Sequence, residues 1–97
     1  MPPAPSLRFY IDPRTGQPHI YNHSVTEEEV QDVLDCPVED RRGADGVRIA
    51  VGQTQSGRYL RVVYVRDPSP GSLFVITAYG LGAQVVRALG RRLRRKR

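Results

Sequence analysis

Apolar and polar positions along this chain fall into short segments whose period changes from place to place, and that change predicts its elements. Leu7-Arg8-Phe9-Tyr10-Ile11 reads as a short strand or extended arm, and Asp12-Pro13-Arg14-Thr15-Gly16 as the turn that ends it. At Thr26 the pattern becomes helical. Thr26 can accept from the amide of residue 29 and Glu29 can reach back to the amide of Thr26, a reciprocal capping box, with Val25 and Val30 placed as a hydrophobic staple. This helix should bury Val30, Val33 and Leu34 and end near Asp35, because Pro37 biases Cys36 away from helical geometry. Its three glutamates suit the positive end of the helix dipole and need no catalytic explanation.

Glu39 to Gly46 reads as a polar loop, and strands follow. Val47 to Gly52 alternates, Thr54 to Gly57 is a hairpin turn, and Arg58 to Arg66 is the longest run of β-branched and aromatic residues. If Leu60, Val62 and Tyr64 face the helices, Tyr59, Arg61, Val63 and Val65 face the other way. Asp67 to Ser72 forms a proline-containing turn, Leu73 to Tyr79 is the last strand, and a helix begins near Ala83. That helix keeps Val85, Val86, Leu89 and Leu93 on one side, although Gly90 weakens it. The expected fold is α+β: a three- to four-stranded antiparallel sheet packed against a short N-terminal helix and a basic C-terminal helix.

At 97 residues there is room for one domain with one modest core, so 1–97 is read as a single unit, with a loose proline-rich 1–6 and a basic tail over 91–97. An apolar share of 39% and a charged share of 26% match ordinary globular usage. Neither a secretory leader nor an apolar run of about 18 residues is seen, so the expectation is a cytoplasmic protein with no membrane role. Cys36 is the single cysteine and reads as a plain small residue near a helix end.

Charge changes the picture more than composition does. Residues 1–46 carry four arginines against nine acids, whereas residues 47–97 carry ten arginines and Lys96 against Asp67 alone, so the halves differ from −5 to +10. Seven cations fall in the last eleven residues, including Arg87, Arg91, Arg92, Arg94 and Arg95. A cluster of this kind releases counterions when it meets phosphates, which points to RNA or DNA with strong salt dependence. Its plainer reading is a solvated tail. No P-loop, dinucleotide fingerprint, zincin or serine-hydrolase motif occurs, and no cofactor is expected.

The strings Ser24-Val25-Thr26-Glu27-Glu28-Glu29-Val30, Arg48-Ile49-Ala50-Val51-Gly52-Gln53-Thr54, Gly57-Arg58-Tyr59-Leu60-Arg61-Val62-Val63-Tyr64 and Val75-Ile76-Thr77-Ala78-Tyr79 precede a basic C-terminus. In this order they resemble the BrnT-like proteins of the RelE/ParE group of bacterial type II toxins, over roughly residues 19–97. The resemblance implies a RelE-like fold and a metal-independent endoribonuclease acting on RNA. It also implies inhibition by a cognate antitoxin protein, with which the toxin could form an oligomer. Arg48, Arg58, Arg61, Arg66, Tyr64 and Tyr79 are the matching residue types in the matching strands. Two departures stand out: Pro13, Gly16 and Pro18 interrupt what is usually a longer first helix, and Tyr79 replaces a usual arginine.

Cleaving RNA without metal needs a base for the 2′-hydroxyl, a cation for the crowded phosphorane and an acid for the leaving oxygen. Arginine fills only the second role, because it stays protonated. Lys96, the only lysine, lies in the tail, which leaves His19, His23 and a tyrosine or carboxylate for the proton transfers. Together with the residue types that the resemblance implies, the candidate catalytic set is Arg61, Arg58, Arg66 and Tyr79, with His23 as proton carrier. Arg48, Tyr59, Arg87, Arg91, Arg92, Arg94 and Arg95 are candidates for RNA binding, the tyrosine by stacking on bases. The spacing His19-x-x-x-His23 permits a metal only on a regular helix, and no third ligand is evident. Two alternatives stay open: a non-catalytic nucleic-acid-binding module, or an inactive toxin-like domain whose acidic half contacts a basic protein.

Overall fold

The computed structural model describes residues 6–68 and 71–95. In chain order the elements are β1 (Ser6–Phe9), β2 (Ile11–Asp12), β3 (Gln17–Pro18), a 3-10 turn (His19–His23), α1 (Glu27–Asp35), β4 (Glu39–Arg42), a second 3-10 turn (Ala44–Gly46), β5 (Arg48–Gln53), β6 (Tyr59–Arg66), β7 (Ser72–Gly80) and α2 (Ala83–Arg95). Five strands form one sheet in the order β1-β7-β6-β5-β4, and β2 with β3 forms a separate two-stranded ribbon. The α+β class stands.

Three expectations need correction. The sheet has five strands and is mixed, because β1 runs parallel to β7, pairing Ser6 with Ser72 and Phe9 with Val75. The stretch read as a polar loop contains β4, which pairs antiparallel with β5 from Glu39 opposite Val51 to Arg42 opposite Arg48. Its Glu-Asp-Arg-Arg sequence carries no apolar alternation, since an edge strand blunted with charge needs none. The first helix is not N-terminal in the fold but follows β1 to β3. The loose segment expected over 1–6 lies outside the described residues up to position 5, whereas Ser6 opens β1. Most of the basic tail, residues 91–95, is the end of α2, and residues 96 and 97 lie outside the described residues.

Helix α1 begins as its sequence predicts, with the Thr26 hydroxyl accepting from the Glu29 amide at 3.2 Å and Glu29 Oε1 accepting from the Thr26 amide at 3.0 Å. It lies on β5 and β6. Close approach is possible because Gly52 has no Cβ: one built there would stand 3.1 Å from Val33 Cγ1 and 3.4 Å from the Cα of Pro37. Between them Ile20, Val25, Val30, Val33, Ala50, Leu60, Val62, Tyr64, Val75 and Ala78 make the buried core. Leu60, Val62 and Tyr64 thus point toward α1, in agreement with the alternation read from β6.

The opposite face is set by the register. Glu39 opposes Val51, Val51 opposes Arg61 and Arg61 opposes Tyr79, so all four project from one side of the sheet. Arg92 of α2 grips Glu39 in a two-point ion pair at 2.6 and 3.2 Å, which places α2 over this second face. Leu89 and Val51 are both buried there, outside the main core. The two helices therefore cover opposite sides of the sheet. The hairpin from β5 to β6 turns through Gly57 at φ +94°, a left-handed value that favours glycine.

Candidate nucleic-acid interface

Strand pairing brings Arg61 and Tyr79 together. They are direct cross-strand partners, Arg61 Nη1 donates to the Tyr79 hydroxyl at 3.2 Å, and the guanidinium carbon lies 5.8 Å from the centre of the tyrosine ring. Arg61 has no carboxylate partner among the described residues, and its Nε is buried with no hydrogen-bond partner. Thr77 Oγ1, on the same strand as Tyr79, is buried and unpartnered as well. Protein interiors satisfy nearly all such groups, so this guanidinium keeps donor capacity that the chain itself does not use.

The edge of β7 supplies the next residues. Its pairing with β1 ends at Val75, and beyond that point the 3-10 turn His19–His23 packs on β7. Ile20, 1% exposed, anchors the turn, and Ser24 closes it in the left-handed region at φ 57°. The His23 ring meets the Tyr79 ring edge to face at 6.1 Å, and the His19 ring meets His23 at 5.3 Å. Asp12 stands behind them. Its buried carboxylate accepts from the Arg14 amide at 2.9 Å and from Asn22 Nδ2 at 2.8 Å, and lies 3.4 Å from His19 Nδ1. The Arg14 amide and then Asn22 favour the ionised carboxyl, outweighing the opposing effect of burial, and hold its pKa at about 2. Asp12, Asn22 and the proline turn form the bed on which His19 rests.

Arg58 is used differently from its neighbour Arg61. Its Nη1 donates to the Ser24 carbonyl at 2.8 Å, its Nη2 to the His23 carbonyl at 3.4 Å, and Glu29 Oε1 lies 3.7 Å away. The guanidinium occupies space beside Gly80 that a Cβ would take, 2.9 Å from Nη2. Arg58 therefore clamps the junction between the 3-10 turn and α1 and fixes the backbone that carries His23.

The other sequence candidates divide by face. Tyr59, opposite Gln53, shares the Arg61 face and is half-buried. Arg48 and Arg66 point to the α1 side, at the end of the sheet that α1 leaves open, and so do not join Arg61 and Tyr79. On α2, Arg87, Arg91 and Arg94 are exposed without a carboxylate partner among the described residues, Arg92 is held by Glu39, and Arg95 closes the helix. Charge asymmetry between the halves is partly cancelled inside the molecule: Glu29 meets Arg58, Asp40 meets Arg48 and Glu39 meets Arg92.

No family model, curated protein or solved structure matches the chain.

What the cluster can do follows from its groups. Two histidine rings in edge contact offer ring nitrogens that can accept or donate a proton, and Arg61 offers a fixed cation. The Tyr79 hydroxyl accepts from Arg61, which leaves its own proton free to donate. Among the described residues no group of three histidine, cysteine or acidic side chains could hold a metal ion. Asp12 and Asn22 were not singled out from sequence. Their signal, an Asp-Pro turn seven residues before a histidine, is indistinguishable from an ordinary turn until the backbone folds back.

Proposed function

We propose that the protein acts on RNA as the toxin component of a type II toxin–antitoxin pair, cleaving it without metal at the Arg61–Tyr79–His23 cluster. The observation that carries this reading is the convergence of three chemically complementary side chains from β6, β7 and the 3-10 turn, with Arg61 unpaired by any carboxylate among the described residues. Arg61 binds the phosphate and stabilises the charge that builds on it, and His23 takes the 2′-hydroxyl proton. Tyr79 or His19 returns a proton to the leaving oxygen. Asp12 keeps the His19 ring in place and Arg58 keeps the His23 backbone in place, both as positioning residues. The BrnT-like resemblance and its cognate antitoxin belong to this proposal.

A second reading, binding without cleavage, is favoured by the exposed arginines of α2, which contact phosphates whatever happens at the cluster. One experiment separates the two. Purified protein is incubated with single-stranded RNA in chelator while binding is followed as a function of salt. Cleavage that His23→Ala and Arg61→Gln each abolish, with Arg61→Gln also lowering the log–log salt slope by about 0.7, supports the enzyme. Salt-sensitive binding with intact RNA supports the binder, and unchanged cleavage in both variants refutes the assigned site.

A further inference from the structure

At the far end of the sheet from the Gly52–Val33 contact lies a cleft of about 540 Å³, lined by Arg42, Gly43, Gly46, Val47, Arg48 and Arg66. Three strands deliver its cations. Arg42 closes β4 directly opposite Arg48 of β5, Arg48 opposes Tyr64 of β6, and Arg66 follows two residues later on the same face. Like charges placed opposite each other on neighbouring strands repel, so the arrangement costs stability unless something of the other sign enters. Among the described residues only Arg48 is answered from within. Asp40 takes its Nε at 3.1 Å, and the Asp40 carboxylate is itself held by the Tyr64 hydroxyl at 2.7 Å. Among the described residues Arg42 and Arg66 have no carboxylate partner and no carboxylate lines the cleft.

The walls are built in advance. The Gly43 amide donates to the Val47 carbonyl at 2.7 Å and the Val47 amide to the Ala44 carbonyl at 3.1 Å, closing the loop on itself. Asp45 at φ 59° and Gly46 at φ 78° make its tight left-handed turn. Among the described lining residues Val47 is the one apolar side chain and none is aromatic, so they offer no platform on which a base could stack. The volume falls in the range of small-ligand sites, about 300–1,000 Å³. Guanidinium groups that converge without an apolar floor suit a group with several anionic oxygens.

We infer that this cleft is a phosphate-binding site, separate from the Arg61 cluster, that takes the phosphate end of a nucleotide or of an RNA strand. Arg61 and Arg66 project from opposite faces of β6, five positions or about 17 Å apart along it, so the two sites titrate independently. This goes beyond the proposed cleavage reaction and survives its failure.

The test is a nitrogen-15 NMR titration of the full chain. Pyrophosphate, 5′-AMP, and a short RNA with or without a 5′-phosphate are added in turn at fixed ionic strength. The amides of Gly43, Gly46 and Val47 should shift and saturate with pyrophosphate, while Arg42→Gln and Arg66→Gln each weaken binding about tenfold. Arg61→Gln should change it less than about twofold, since that residue faces the other way. A strand-end site prefers the 5′-phosphorylated RNA to the 5′-hydroxyl RNA, whereas a nucleotide site binds 5′-AMP at least as well as either. Arg42 and Arg66 are exposed, so the spectra of their variants should report an intact fold. Shifts confined to α2, or undiminished affinity in the Arg42→Gln/Arg66→Gln double variant, overturn the assignment.

Discussion

Replacing Gly80 with alanine perturbs one side chain with little else at stake. Gly80 closes β7 opposite Leu60 and does not use the left-handed region, so alanine brings no backbone strain. It does bring a Cβ to 2.9 Å from Arg58 Nη2, 3.2 Å from Nε and 3.4 Å from Cζ, and the guanidinium must move. The guanidinium is the end of a flexible side chain and can shift, which strains the bonds to the Ser24 and His23 carbonyls and the 3.7 Å approach to Glu29, so the full value of the clamp is an upper bound on the loss. Hydrogen bonds with a charged partner contribute about 1.5–3 kcal/mol when well shielded. The Arg58 side chain is 38% exposed and water replaces part of what is lost, which brings the clamp to about 1–2 kcal/mol. Exchanging glycine for alanine in compatible backbone returns about 0.4–1 kcal/mol through the unfolded chain. Gly80→Ala alone should therefore destabilise by about 0.8 kcal/mol at mid-range and by at most about 1.6 kcal/mol, the mid-range value being a fall in Tm of about 3–6 °C for a domain of this size.

The decisive measurement is the same substitution in an Arg58→Met background. Methionine keeps much of the aliphatic stem but has no guanidinium to displace, so Gly80→Ala should there become neutral or stabilise by about 0.4–1 kcal/mol. The coupling between the two positions comes to about 1–2 kcal/mol and is read from thermal and urea unfolding followed by far-ultraviolet circular dichroism. Equal destabilisation by Gly80→Ala in both backgrounds would refute the clamp and, with it, the role of Arg58 in fixing His23.

Two further predictions concern stability. Thr26→Ala removes the hydroxyl that accepts from the Glu29 amide and should cost about 1 kcal/mol, or about 4–8 °C in Tm; an unchanged Tm would count against the capping box. Asp12 is held at a pKa of about 2 against its ordinary 3.8, so between these values the native state binds fewer protons than the unfolded chain. Its contribution is complete above about pH 4 and disappears as pH falls through about 2, and Asp12→Asn should flatten urea midpoints across that window. A variant whose midpoint falls as steeply as the parent's would show that other carboxylates govern acid unfolding.

The parts of the molecule legible in sequence are those governed by neighbours along the chain. The capping box at Thr26, the Gly57 turn and the alternation of Leu60, Val62 and Tyr64 each depend on residues within a few positions, and each occurs as its pattern predicts. Arg61 and Tyr79 could be nominated by residue type and strand position. Their contact could not, because it depends on the register of β6 against β7, which includes an irregularity between Val63 and Tyr64.

Long-range pairing alone decided the rest. Glu39–Arg42 carries no apolar signal and becomes a strand because β5 offers it an edge, and Ser6–Phe9 joins the sheet parallel to a strand more than sixty residues away. The faces on which arginines emerge then follow from parity. Arg61 is odd and meets Tyr79, whose ring in turn touches His23, on the side that α2 overlies, while Arg42, Arg48 and Arg66 are even and gather on the side of α1. Composition fixed an excess of basic over acidic side chains, but not which guanidinium groups would find an ion-pair partner. The folded sheet, whose side chains alternate between two faces, set which arginines emerge together on each face, because that depends on strand register and not on neighbours along the chain.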